Sequence, residues 1–135
     1  MQCTRKVTDG IYWVGANDRR LAKFENMFPI PRGVSYNSYV ILDGKTALMD
    51  TADSSVAERF MENVAAVLDG RALDYLVVQH MEPDHCANSA AIIEKYPDVT
   101  VVGNAKTMQM IGQFYSGTKA KHTLLVKEGD KLPLG

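Results

Sequence analysis

Only two cysteines, Cys3 and Cys86, occur in 135 residues. Two thiols make no disulfide framework, so a stapled secreted miniprotein is excluded and a reducing cytoplasm is the default compartment. No apolar run approaches the ~20 residues of a membrane span, and behind Met1-Gln2-Cys3-Thr4-Arg5-Lys6 there is no apolar core of a signal peptide. Charge of one sign is also missing: 15 Lys and Arg face 16 Asp and Glu, a net charge of −1. That balance offers no basic surface to nucleic acid and none to an anionic membrane, and neither partner is expected. There is no GxGxxG, no phosphate loop, no basic–aromatic interleaving and no evident Ser–His–Asp set. Repeats, low-complexity tracts and linkers are lacking. What remains is 46% hydrophobic residues, the composition of one ordinary globular domain.

The hydrophobic pattern alternates strands with helices. Val7 to Gly15 reads as two short strands around Asp9-Gly10, a hairpin turn pair. Asn17 to Gly33 shows no clear period and holds Pro29, Pro31 and Gly33. Phe24, Met27, Phe28 and Ile30 argue against disorder, leaving an ordered cover or a surface Ω-loop packing its own aromatics. Tyr36–Leu42 reads as one strand, turned by Asp43-Gly44 into an antiparallel partner, Lys45–Asp50. Asp53 or Ser54 caps a helix whose apolar face is Val56, Phe60, Val64, Val67 and Leu68, and Asp69-Gly70 stops it. Asp74–Val78 is a buried strand, with Tyr75–Val78 as its core. A helix over Ala87–Tyr96 ends before Pro97. A strand over Thr100–Val102, a helix over Ala105–Tyr115 with Met108, Ile111 and Phe114 or Tyr115 on its face, and a last strand over His122–Val126 complete the chain. His122 stands alone and reads as structural or exposed. The fold class is α/β, a mixed sheet with flanking helices.

The chemistry concentrates in Gln79-His80-Met81-Glu82-Pro83-Asp84-His85. Four side chains able to bind metal fall within six residues, in a loop after a buried strand, where open α/β sheets place their ligand sites. Imidazole nitrogen and carboxylate oxygen suit iron, manganese or zinc and argue against copper(I) or an iron–sulfur cluster. Neighbouring residues leave the backbone in different directions, so one ion would collect all four only with strain. Two ions about 3.5–4 Å apart could share them. Pro83 fixes its own φ and keeps Glu82 out of the helical region, which stiffens the segment. Cys86 reads as a small buried residue, with ligation or oxidation as the alternatives.

His80-x-Glu82-x-Asp84-His85 after an apolar strand resembles the first metal motif of the flavodiiron proteins, or A-type flavoproteins. Ile11 to Arg19, Gly33 to Tyr39 and Leu48 to Thr51 resemble further blocks of that family, so the resemblance runs through nearly the whole chain. It implies a metallo-β-lactamase-like αββα sandwich, of which residues 1–135 would be the N-terminal half. The rest of that domain and the flavodoxin-like domain would be absent. By resemblance, His80 and Glu82 would bind one iron and Asp84 and His85 the other, as the catalytic metal ligands. FMN would supply electrons from the missing domain, and the parent enzyme would reduce O2 to water or NO to N2O. An electron donor such as rubredoxin or a reduced flavin, and a homodimer or higher oligomer, are the expected partners. The isolated chain is expected to be inactive. Hydrolases of the same superfold carry His where Glu82 stands, so a zinc hydrolase is the alternative, and a non-catalytic self-associating fragment a third. Cys86-Ala87 stands where the family has Ser-Gly.

Overall fold

The computed structural model describes residues 2–135. Its centre is a seven-stranded mixed sheet. In chain order the strands and helices are β1 (Arg5–Thr8), β2 (Ile11–Trp13), β3 (Ala16–Asp18), β4 (Lys23–Phe24), β5 (Phe28–Pro29), β6 (Val34–Tyr36), β7 (Tyr39–Leu42), β8 (Thr46–Met49), α1 (Ala57–Leu68), β9 (Tyr75–Val77), α2 (Pro83–Cys86), α3 (Ser89–Lys95), β10 (Thr100–Gly103), α4 (Ala105–Phe114) and β11 (His122–Leu125). The sheet order is β1-β2-β7-β8-β9-β10-β11, and β3 with β6 and β4 with β5 form two small ribbons. Pairs up to β7–β8 are antiparallel. From β8 onward the strands run parallel, because each connection passes through a helix rather than a tight turn.

The hairpin expected at Asp9-Gly10 is present. Gly10 takes φ 75°, and its carbonyl accepts the Leu42 N–H at 2.7 Å. A side chain there would be strained in the left-handed region. Helix α1 begins as a 3-10 turn over Ser54–Val56, capped by Asp53 Oδ1, which accepts the Ser55 N–H at 2.8 Å. It ends on Asp69, itself left-handed at φ 47°, so the cap falls one residue before the glycine.

The core sits on one face of the sheet. Val40, Leu48, Leu76 and Val101 are register neighbours across β7, β8, β9 and β10. All four are fully buried in one cluster with Phe60, Val64 and Leu68 of α1, Ile92 and Ile93 of α3 and Ile111 of α4. Side chains alternate across a strand, so the next row points the other way. Trp13, Tyr39, Met49 and Val77 form that row, and each is only half-buried.

Three sequence expectations change. Tyr36–Leu42 is not one strand: β6 pairs with β3 and β7 joins the main sheet, with the break at Asn37-Ser38. Polar anchors make the break. The Ser38 hydroxyl donates to Asp50 O at 3.0 Å, and Asn37 Oδ1 accepts the Trp13 indole N–H at 2.9 Å. The helix over Ala87–Tyr96 shortens to Ser89–Lys95, and a separate turn of helix, α2, forms inside the segment read as a loop. Proline at the first helical position nucleates it. Asn17–Gly33 holds the β4–β5 ribbon, with Glu25 and Asn26 left-handed at its turn. Phe24 packs against the core while Met27 and Phe28 stay exposed.

Candidate metal centre

The four sequence candidates lie at the carboxyl ends of the parallel strands β8 and β9. Backbone ladders bring the two ends together. The Asp50 N–H donates to Val77 O at 2.8 Å, and the Val78 N–H to Val102 O at 2.9 Å. Beyond that point the ladder is continued by a side chain: the Gln79 N–H donates to Asp50 Oδ1 at 2.7 Å. The chain then leaves the sheet as His80-Met81-Glu82 and turns into α2. Glu82 has φ −75° and ψ 150°, the extended conformation that a following proline imposes.

His80 Nε2 lies 3.3 Å from Glu82 Oε1. His85 Nε2 lies 3.4 Å from Asp84 Oδ2. The two imidazoles meet edge to face with centroids 5.4 Å apart. Among the described residues, no three His, Cys, Asp or Glu side chains close on a single point able to hold an ion. The candidates thus fall into two pairs. The first is half-exposed; the second is more sheltered, with side-chain exposures of 35% for His85 and 21% for Asp84. Asp84 Oδ1 is buried and has no hydrogen-bond partner. An unpartnered buried carboxylate oxygen is costly, and a cation answers that cost. The donor set and this orphaned oxygen fit a metal.

Asp50 was not among the sequence candidates. Its side chain is 8% exposed, and its Oδ2 lies 3.3 Å from His85 Nδ1. A ring with Nδ1–H turned to that carboxylate leaves Nε2 as the acceptor nitrogen, the arrangement by which metal-binding histidines are oriented. Gln79 Nε2 also donates to Asp50 Oδ2 at 3.3 Å. Asp50 is left-handed at φ 56°, a strained state for a non-glycine residue. The signal available in the sequence was a carboxylate at the end of the strand adjacent to the ligand strand.

The short helix is held at its carboxyl end. Thr51 donates to His85 O through both N–H, at 2.6 Å, and Oγ1, at 3.0 Å. The Tyr115 hydroxyl donates to Cys86 O at 3.0 Å. Burial pushes the Cys86 thiol and the Tyr115 phenol above their ordinary ranges, so both keep their protons. The Cys86 thiol donates to Met81 O at 3.2 Å, consistent with a packed rather than a reactive cysteine. His122 lies on exposed β11, away from this segment.

Two cavities flank the segment. One of about 280 Å³ includes Phe24, Tyr36, Asp53, Ser55 and Asp84 in its wall, under the β4–β5 ribbon. The other, about 350 Å³, is bounded by His80, Glu82, Asn104 and Lys106. Burial, more than the nearby Asp53, raises the Tyr36 phenol.

Comparison with known proteins agrees with the fold. The nitric oxide reductase of Moorella thermoacetica is 39% identical over 130 residues, covering 96% of this chain and 32% of that protein. The rubredoxin-oxygen oxidoreductase of Megalodesulfovibrio gigas is 35% identical, covering 100% of this chain and 33% of its own length. The chain therefore spans about a third of the length of the curated relatives it matches. Among solved structures, the flavodiiron protein from Giardia intestinalis superposes with a TM-score of 0.89 at 28% identity, over 100% of this chain and 32% of that one. The model of the ODP family of beta lactamases matches residues 34–135. On that match the chain belongs to the ODP beta-lactamase family, with the fold of the corresponding segment of flavodiiron proteins.

Proposed function

We propose that this chain carries the ligand segment of a non-haem diiron centre, His80 with Glu82 for one ion and Asp84 with His85 for the other. The protein it serves would reduce O2 to water, NO to N2O, or both. The observation that carries the reading is the sorting of four nitrogen and oxygen donors into two adjacent pairs at the strand ends, with Asp84 Oδ1 buried and unpartnered. Held by His80, Glu82, Asp84 and His85, a diiron centre would supply the redox chemistry, and FMN would be its source of electrons. The residues bind and orient. Asp50 faces His85 Nδ1, which leaves Nε2 on the side of Asp84, and Pro83 restrains the backbone between Glu82 and Asp84. Glu82 adds a hard anionic donor, which favours an iron that must reach the ferric state. A zinc hydrolase would instead want a less electron-rich ion.

The relatives named nitric oxide reductase and rubredoxin-oxygen oxidoreductase support both substrates. The second name also supports a rubredoxin-like electron donor. We further include a second copy of this chain as a partner, because the Trp13–Tyr39–Met49–Val77 row is apolar and only half-covered. Light scattering across a dilution series tests this, and a monodisperse monomer at micromolar concentration would contradict it. Iron and zinc compete in the test of the metal reading. Under anaerobic conditions with both ions equimolar, Glu82→His should raise the zinc-to-iron ratio bound relative to the wild-type segment. Equal zinc preference in both proteins would overturn the diiron reading in favour of a hydrolase.

A further inference from the structure

The two ligand pairs are joined by only a short backbone path, yet they must hold a fixed separation if two ions are to act on one substrate. A four-residue helix cannot fix it alone, because the last carbonyls of a helix lack partners within it. The structure supplies partners from outside. Met81 stands between His80 and Glu82, and its carbonyl accepts the Cys86 thiol at 3.2 Å. Cys86 directly follows His85, so this one bond runs from the first pair to the second. The Cys86 carbonyl in turn accepts the Tyr115 hydroxyl at 3.0 Å. Tyr115 caps α4, its N–H donating to Ile111 O at 2.9 Å, and Ile111 is buried in the main core. A rigid path thus leads from the core through α4 to Tyr115, to Cys86, and back to Met81. Cys86 is 3% exposed, so water does not compete for its bonds.

We propose that Cys86 and Tyr115 are positioning residues that lock the His80–Glu82 pair to the Asp84–His85 pair and so set the spacing of the two ions. This rests on the two-ion reading above. Neither residue ligates. Cys86 acts through Met81 O, and Tyr115 through Cys86 O. A serine at position 86 puts a hydroxyl donor in place of the thiol and should keep the lock; alanine removes the donor.

The test uses the 135-residue chain, with Cys86→Ala, Cys86→Ser and Tyr115→Phe. Stepwise cobalt(II) titration reads the two binding constants separately. Amide residual dipolar couplings of the metal-free chain read whether residues 80–82 and 84–86 share one rigid frame. In the wild type, one frame and two cobalt ions are expected. Cys86→Ala should weaken the second ion roughly 10-fold relative to the first, the usual size of an outer-shell loss, and the two stretches should need separate frames. Tyr115→Phe should act in the same sense, and Cys86→Ser should restore the wild-type ratio. A role in stability alone would lower the melting point of Cys86→Ala and leave the ratio unchanged. Unchanged ratios with one frame in both Cys86→Ala and Tyr115→Phe overturn the lock. If the wild type takes fewer than two ions, the two-ion reading fails, and the dipolar couplings alone then decide whether the lock exists.

Discussion

Asp50 concentrates several demands in one residue. Its backbone is left-handed, its N–H continues the β8–β9 ladder, and its carboxylate serves both Gln79 and His85. Strain of this kind persists only where the surroundings over-determine it. An amide in place of the carboxylate would still accept the Gln79 N–H but would turn a donor toward His85 Nδ1. Asp50→Asn should therefore keep the fold, shift the His85 ring toward the opposite tautomer and weaken the ion on the Asp84–His85 side roughly 10- to 100-fold. Nitrogen-15 shifts of the imidazole and a cobalt titration read the two effects. An unchanged tautomer with unchanged affinity would remove Asp50 from the site. The residue is hard to single out in the sequence because a carboxylate at a strand end is a weak signal and none of its partners is nearby. Its partners lie 29 and 35 positions away, and only the parallel pairing of β8 with β9 brings them together.

Elements whose period and punctuation agree are legible from the sequence. Helix α1 shows an apolar stripe, an Asp53 cap and a left-handed stop, and β8 and β9 are apolar runs ended by polar residues. The break between β6 and β7 is not legible, because Tyr36 to Leu42 is apolar enough for one strand. Tertiary bonds at Asn37 and Ser38 decide it instead. Gly15 marks the same crowded place: a Cβ there would stand 1.9 Å from Tyr36 O. Helix α2 is too short for any periodicity, and only Pro83 announces it. The four ligand candidates are legible because their spacing is local, whereas Asp50, Thr51 and Tyr115 reach the segment from other elements. The β8–β9–β10 core carries its own test. Leu76 is fully buried between Leu48 and Val101, so Leu76→Ala should cost about 2–5 kcal/mol, the range for a buried leucine that leaves a cavity. Urea denaturation with an unchanged m-value reads it, and a loss under 1 kcal/mol would mean that this face is not the core.

For the whole molecule, pH acts through buried phenols. Tyr36, Tyr96 and Tyr115 are all raised above the ordinary 10.0, chiefly by burial. A raised folded value means that the unfolded chain releases its proton first. The stabilising contribution is then complete below about pH 10 and is lost as pH climbs toward the folded values. Stability should fall above pH 10, and Tyr115→Phe should make that fall shallower. Equal alkaline slopes in the two proteins would contradict the burial argument. The central claim is that two ligand pairs, and not one four-ligand cage, lie at the strand ends. Anaerobic Fe(II) titration of the wild type, His80→Ala and Asp84→Ala, followed by Mössbauer counting of ferrous sites, tests it most directly. At saturating Fe(II), two weakly held ions per wild-type chain and one in each variant are expected, with the surviving ion in the untouched pair. A single ion in the wild type, lost in both variants alike, would contradict the account.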